Sequence, residues 1–281
     1  MPSASDQDLH PFDQATRVVV ENGNRFGATS DQYWAFVGPF GGATAATILQ
    51  AVLTHGERSG EALALTVNYC APVRRGRFGI DARLVRANRS SQHWSVELVQ
   101  DAEDGSGQEV VATATAITAE RRPSFAHQVA TMPDVVPSSQ VKPLVMEGFS
   151  GWTRQYDFRF VSGLPRFRDP SDAALADSRS ELWLSDHRPR RIDMLSLAAM
   201  ADAFFGRIFH VRGGMVPFGT VSMTTYFHID AAELAAEDTT ELLGVADAQV
   251  FSRSYGDQTA QLWTPSGRLV ATSQQITYFK A

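Results

Sequence analysis

Cysteine is nearly absent: one residue, Cys70, in 281. It cannot form an internal disulfide or build a thiolate metal site alone, so a reducing compartment, the cytoplasm, is the expected location. Within Tyr69-Cys70-Ala71-Pro72 the thiol reads as a small buried hydrophobe at a strand end rather than as a nucleophile. Positive charge is scarce as well. The 25 lysines and arginines fall short of the 31 aspartates and glutamates, leaving a net charge of −6. With no basic excess to displace counterions, nucleic acid is not an expected partner. Long apolar runs are missing: the longest mostly apolar stretch, residues 43–53, falls well short of the ~20 residues that span a bilayer, so no membrane span is expected. Residues 1–14 are polar and acidic, without the basic and apolar pattern of a secretory signal.

Several chemistries lack their residues. The seven histidines never form a pair four apart with an acidic residue between them, so no zinc signature exists and no metal is expected. No Gly-x-Ser-x-Gly elbow supports a serine nucleophile, and no lysine follows Gly41-Gly42 as a phosphate-binding loop would require.

What is present is a repeat. Val111-Ala112-Thr113-Ala114-Thr115-Ala116-Ile117-Thr118 returns as Val270-Ala271-Thr272-Ser273-Gln274-Gln275-Ile276-Thr277, with five identities. The surrounding periodicities repeat too. Thr16 to Glu21 reads as a short strand, Ala45, Ile48, Leu49, Val52 and Leu53 mark a helix, and strands are expected at 62–70, 78–86, 93–101 and 109–119. Residues 121–148 hold four prolines and little periodicity, which suits a linker. Beyond them come strands at 152–160 and 181–185, a helix at 194–205, and strands at 220–229, 240–251, 259–264 and 269–279. The expected division is a unit at 1–122, a linker at 123–148 and a second unit at 149–281. Each unit needs its helix to cover the apolar face of a curved antiparallel sheet, an α+β arrangement.

Four places stand out against that background. Leu195, Ala198, Ala199, Asp202 and Phe205 share a helical stripe, which sets a carboxylate on the face toward the sheet, where desolvation raises its pKa. The alternatives are a rotated helix with Asp202 at its edge, or a pair between Asp202 and Arg207. Gln275 replaces Ala116 of the first copy and Gln274 replaces Thr115; one of the two must point inward. Thr220 falls by simple alternation on the polar face with Ser222 and Thr224, which weighs against a buried role unless it sits at a rim. Gly41-Gly42 opens a helix whose N–H groups can polarise a carbonyl oxygen, or is simply a tight turn. Arg74, Arg75, Arg77, Arg86 and Arg89 flank strands and can meet phosphates, or stay solvated.

Gly41-Gly42 before an alanine-rich helix, the segment from Leu195 with its aspartate, and Thr220 leading to Tyr226-Phe227-His228 together resemble the double-hotdog acyl-CoA thioesterases of the type II, TesB-like family. The likeness covers nearly the whole chain. It implies two tandem hotdog units, each a curved antiparallel sheet wrapped around a long helix, in a homodimer or homotetramer serving fatty acid metabolism. By position it assigns the family's water-holding aspartate, threonine and glutamine to Asp202, Thr220 and Gln275, with Gly41 or Gly42 as weaker oxyanion donors. Acyl-CoA is then the substrate and no cofactor is needed. A non-hydrolytic acyl-CoA or lipid-binding protein of the same fold is the alternative. A hydratase ranks lower, since only His210 follows Asp202 closely.

Overall fold

The computed structural model describes residues 9–149, 151–168 and 177–280. In chain order the elements are α1 (Pro11–Ala15), β1 (Val19–Glu21), β2 (Asn24–Ala28), α2 (Gly41–Leu53), β3 (Glu61–Tyr69), β4 (Arg77–Ala87), β5 (Ser91–Asp101) and β6 (Gln108–Ala119). The second half holds β7 (Tyr156–Ser162), β8 (Ser180–Asp186), α3 (Met194–Met200), α4 (Ile208–Val211), β9 (Phe218–Phe227), α5 (Ala231–Ala236), β10 (Glu241–Asp247), β11 (Phe251–Ser252), β12 (Tyr255–Trp263) and β13 (Leu269–Phe279). The helix after each short strand pair and the run of strands behind it follow the doubled pattern of the sequence. This is a double hotdog of the α+β class. The short helices α1 and α5 are additions that the apolar periodicity does not reveal.

Among the described residues the strands form one antiparallel sheet in the order β1-β2-β4-β5-β6-β3-β9-β13-β12-β10-β8-β7, with β11 hung on β12. Reading outward from the β3–β9 junction, the two halves present their strands in matching sequence. β3 thus corresponds to β9, β6 to β13 and β5 to β12. At the junction Thr66 lies opposite Thr224, and their hydroxyls meet at 2.9 Å.

The two halves also share a core. α2 is almost wholly buried, with Ala45, Ala46, Ile48, Ala51 and Val52 at zero exposure, and it packs against α3. Small side chains make that contact close. A methyl group added at Gly42 would lie 2.3 Å from the Ala199 carbonyl oxygen. The buried hydroxyls of Thr44 and Thr47 bond back to the carbonyls of Phe40 and Ala43, so this polar content is satisfied within the helix.

α3 is shorter than its apolar stripe suggests. Asp193 caps its start in a reciprocal box with Ser196, but regular helix ends at Met200 rather than at Phe205. The next amides tighten to three-residue bonds, Asp202 N–H to Ala199 and Ala203 N–H to Met200, both at 3.1 Å. Asp202 therefore sits in the turn beyond the helix.

The segment between the halves lies against the second one. Trp183 Nε1 donates to the Val136 carbonyl at 2.8 Å, and the Gln128 side chain clasps Gly267 and Leu269. Ala130, Met132 and Val135 cover a small cluster of Trp183, Leu243, Val245 and Trp263 on the outer face of the sheet.

Candidate active site

A cavity of about 320 Å³ opens where the start of α2 meets the turn after α3. Its wall is aromatic and draws on both halves of the chain. Phe40 stacks on Trp152 with ring centres 4.3 Å apart, Phe205 packs on Phe167 at 5.1 Å, and Phe209 meets Phe218 at 5.1 Å. Such a wall suits an apolar guest. Polar groups gather at one place on it: Asp202, Thr220 and Gln275.

β13 brings in Gln275 by alternation from Ala271 onward. Ala271, Ser273 and Gln275 are buried, whereas Gln274 and Ile276 are exposed, so Gln275 is the inward glutamine. Thr220 arrives by a different route. In β9, Ser222 lies opposite Ile276 while Thr220 lies opposite Thr277, so Val221 is an extra residue in the ladder. This bulge reverses the phase of the strand and returns Thr220 to the face of Met223 and Thr225. Simple alternation, which sets Thr220 on the polar face, is corrected here. The Thr220 hydroxyl donates to Gln275 Oε1 at 2.9 Å and lies 3.5 Å from Asp202 Oδ1.

Asp202 is buried beneath these two. Loss of hydration pushes its carboxyl up from 3.8 to about 7, only partly offset by hydrogen bonds from the Gln275 side chain, the Gly42 N–H and the Thr220 hydroxyl. A carboxyl near neutrality is half-ionised at working pH, the condition in which it can take up a proton and give it back. Arg207 does not pair with it. That guanidinium, itself pushed down to about 9 by burial, donates to the Phe205 and Ser178 carbonyls and to Ser180 Oγ.

The glycines divide into two roles. The Gly42 N–H faces Asp202 and favours its ionised form. Gly41 lines the cavity as the first residue of α2, where helix geometry leaves N–H groups without intrahelical partners. Its lack of a side chain is a requirement of space: a methyl group there would stand 2.6 Å from Asp202 Oδ2 and 3.2 Å from the Tyr69 hydroxyl. Tyr69, held neutral by burial, donates that hydroxyl to the Gly41 carbonyl at 2.9 Å and fixes the helix start.

Other expectations fare differently. Cys70 is exposed at the mouth of the cavity rather than buried, because β3 ends at Tyr69 and the chain turns outward there. Three of the flanking arginines are paired: Arg74 with Glu109, Arg75 with Asp31 at 2.9 Å and Arg77 with Glu21 at 2.6 Å. His210 is buried in α4 and is not among the described residues that line the cavity. Sequence reasoning missed Gln258, which is 2% exposed and lines the cavity beside Gln275. The run Gly256, Gln258, Ala260, Leu262 alternates inward and was a usable signal, lost because β12 begins at Tyr255, four residues before its expected start.

Comparison with known proteins places these features in a family context. Residues 126–279 match the family model of the acyl-CoA thioesterase C-terminal domain, and residues 30–119 match that of the N-terminal domain. Among solved structures, a hotdog-fold protein of unknown function from Alicyclobacillus acidocaldarius is 40% identical, with 97% of this chain and 99% of that one covered at a TM-score of 0.89. A candidate thioesterase II from Thermobifida fusca shares the fold at 18% identity and a TM-score of 0.79, covering 98% of this chain and 99% of that one. The acyl-CoA thioesterase II TesB2 of Mycobacterium marinum does so at 17% identity and 0.71, covering 96% and 98%. No protein of curated function matches the sequence.

Proposed function

The chain belongs to the acyl-CoA thioesterase family, whose N- and C-terminal domains it carries in order, and from that premise we propose that it hydrolyses an acyl-CoA to the free acid and CoA. The observation that carries this reading is the convergence of Asp202, Thr220 and Gln275 on one spot of an apolar cavity wall. Two units, at 1–122 and 149–281 with 123–148 between them, build one such spot per chain.

In this reading Asp202 takes a proton from a water molecule held by Thr220 and Gln275. The water oxygen attacks the thioester carbonyl carbon, the carbonyl oxygen gains negative charge, and the Gly41 N–H donates to it. Collapse of that intermediate breaks the C–S bond. The departing thiolate acquires a proton, and Asp202 returns to its ionised form as the acid is released. General-base assistance contributes roughly 10²–10⁴ in rate, so donors on the oxyanion and positioning by the aromatic wall must supply the rest.

The test is hydrolysis of a panel of acyl-CoA thioesters by the purified chain. Because Cys70 is exposed at the cavity mouth, a thiol reagent would report on it as well as on released CoA. Loss of the thioester's own ultraviolet absorbance is the cleaner signal. Saturable turnover supports the proposal; tight acyl-CoA binding without turnover replaces it with the binding-protein alternative.

A further inference from the structure

We infer that Gln258 is a second donor to the thioester carbonyl oxygen, completing with the Gly41 N–H the site for the developing oxyanion. This rests on the thioesterase reading above. The argument starts from the duplication. In the first half, Trp94 of β5 lies directly opposite Ala116 of β6, both fully buried and apolar. The corresponding strands of the second half set Gln258 of β12 directly opposite Gln275 of β13. Two apolar partners have become two glutamines, and only one has a task in the arrangement described so far.

Gln258 has no visible occupation within the protein. Its side chain is 2% exposed, yet among the described residues no hydrogen bond reaches its amide. Its amide atoms are not among the fully buried unpartnered ones, so they open onto the cavity, where a group that arrives with the ligand can bond them. The surroundings narrow what that group is. Residues directly opposite on antiparallel strands have Cβ atoms about 5 Å apart, so the Gln258 amide extends beside the water that Gln275 helps to hold. A carbonyl carbon under attack by that water carries its oxygen within reach of such a neighbour. The Gly42 N–H is turned toward Asp202, whereas Gln258 lines the cavity opposite Gln275 and can supply the second donor. A side-chain amide is suited to this, and loss of one oxyanion donor typically lowers kcat by about 10²–10³.

The experiment compares wild type, Gln258→Met and Gln258→Glu on the same acyl-CoA panel, with Asp202→Asn as a control. Methionine keeps the length and is benign for packing in an apolar cavity. The expected result for Gln258→Met is a kcat about 10²–10³ lower on every acyl group, little change in KM, and a thermal midpoint no lower than wild type. Gln258→Glu, which sets an acceptor where a donor is needed, should be no better. A kcat within threefold of wild type for Gln258→Met, or a loss confined to particular acyl groups, overturns the inference. If Asp202→Asn is inactive in that same experiment, the thioesterase reading stands without Gln258. If wild type turns over nothing, both fall. A wild-type fold in Gln258→Met is checked by circular dichroism; should it fail, Gln258→His, which retains a donor, must keep more kcat than Gln258→Leu.

Discussion

Replacing Asp202 with Asn separates two effects that share one carboxyl group. Burial lifts this carboxyl from 3.8 to about 7, about three pH units, or about 4 kcal/mol at roughly 1.4 kcal/mol per unit. Between those two values the folded chain holds a proton that the unfolded chain has released. The group's contribution to stability is therefore fully present below about pH 4 and is lost as pH rises through about 7. Asn does not titrate. Urea unfolding of both proteins across pH should show the stability difference moving in favour of Asp202→Asn by up to about 4 kcal/mol between about pH 4 and about pH 8. Altered hydrogen bonds to Gly42, Thr220 and Gln275 set the absolute level of that difference, by about 1 kcal/mol each, but not its slope. Activity must move the other way. A general base works only when ionised, so wild-type kcat/KM should rise with pH through about 7 and then level, while Asp202→Asn loses about 10²–10⁴ at the plateau. A wild-type profile that is flat from about pH 5 to about pH 8, or a variant within tenfold of wild type, refutes the role as base. A stability difference that does not change with pH refutes the raised carboxyl.

Three further outcomes follow from the same geometry. Gln275→Ala should lower kcat at least as much as Thr220→Ala, because it removes the acceptor of the Thr220 hydroxyl and a donor to Asp202, whereas Gln274→Ala, on the exposed face, should be indistinguishable from wild type in the same hydrolysis assay. The two glycines should fail differently: Gly41→Ala presses on the movable end of Asp202 and should cut activity with little loss in the urea midpoint, while Gly42→Ala presses on the Ala199 carbonyl and should lose about 1–3 kcal/mol of stability by forcing α2 from α3. Asp186, buried with Oδ2 unpartnered and raised to about 7 chiefly by burial, destabilises the fold once ionised; Asp186→Asn should be more stable than wild type at about pH 8, with the gap closing toward about pH 5, as read by thermal unfolding at both values.

The regular parts of this fold are legible in the sequence because they obey fixed periods. Between their register shifts the strands from Glu61 to Ala119 and from Tyr255 to Phe279 alternate with period two, and the repeat between residues 111–118 and 270–277 aligns β6 with β13 closely enough to single out Gln275 against Ala116. The same regularity misleads wherever it breaks. A periodic stripe carries the second helix through Asp202, but the chain leaves the helix at Met200, and only outside it can the carboxylate meet the Gly42 N–H. Alternation sets Thr220 outward, but the bulge at Val221 turns it in. Neither break has a sequence marker such as glycine or proline at the point where it happens, since Ala201 follows the helix and valine occupies the bulge.

These failures share a cause that bears on how one half of a duplicated fold acquires chemistry. A regular helix or strand sends its polar side chains to solvent and its apolar ones to the core, so three polar groups cannot converge on a buried point while every element stays regular. Here Gln275 and Gln258 substitute for core residues within strands, whereas Asp202 and Thr220 reach the cavity because the backbone departs from its period next to each of them, just before Asp202 and just after Thr220. The first half has register shifts of its own, at Ala62/Ala64, Leu84/Arg86 and Leu98/Val99, but keeps Trp94 and Ala116 in the core, which leaves no polar pair at the equivalent place. Removing the bulge tests this directly: deletion of Val221 should restore strict alternation, turn Thr220 away from Gln275 and abolish turnover, while the sheet ladder from Ser222 to Phe227 keeps its register. If the deletion variant folds and still turns over acyl-CoA, Thr220 is not among the groups that hold the attacking water, and the asymmetry between the halves must then rest on Asp202 and the glutamines alone.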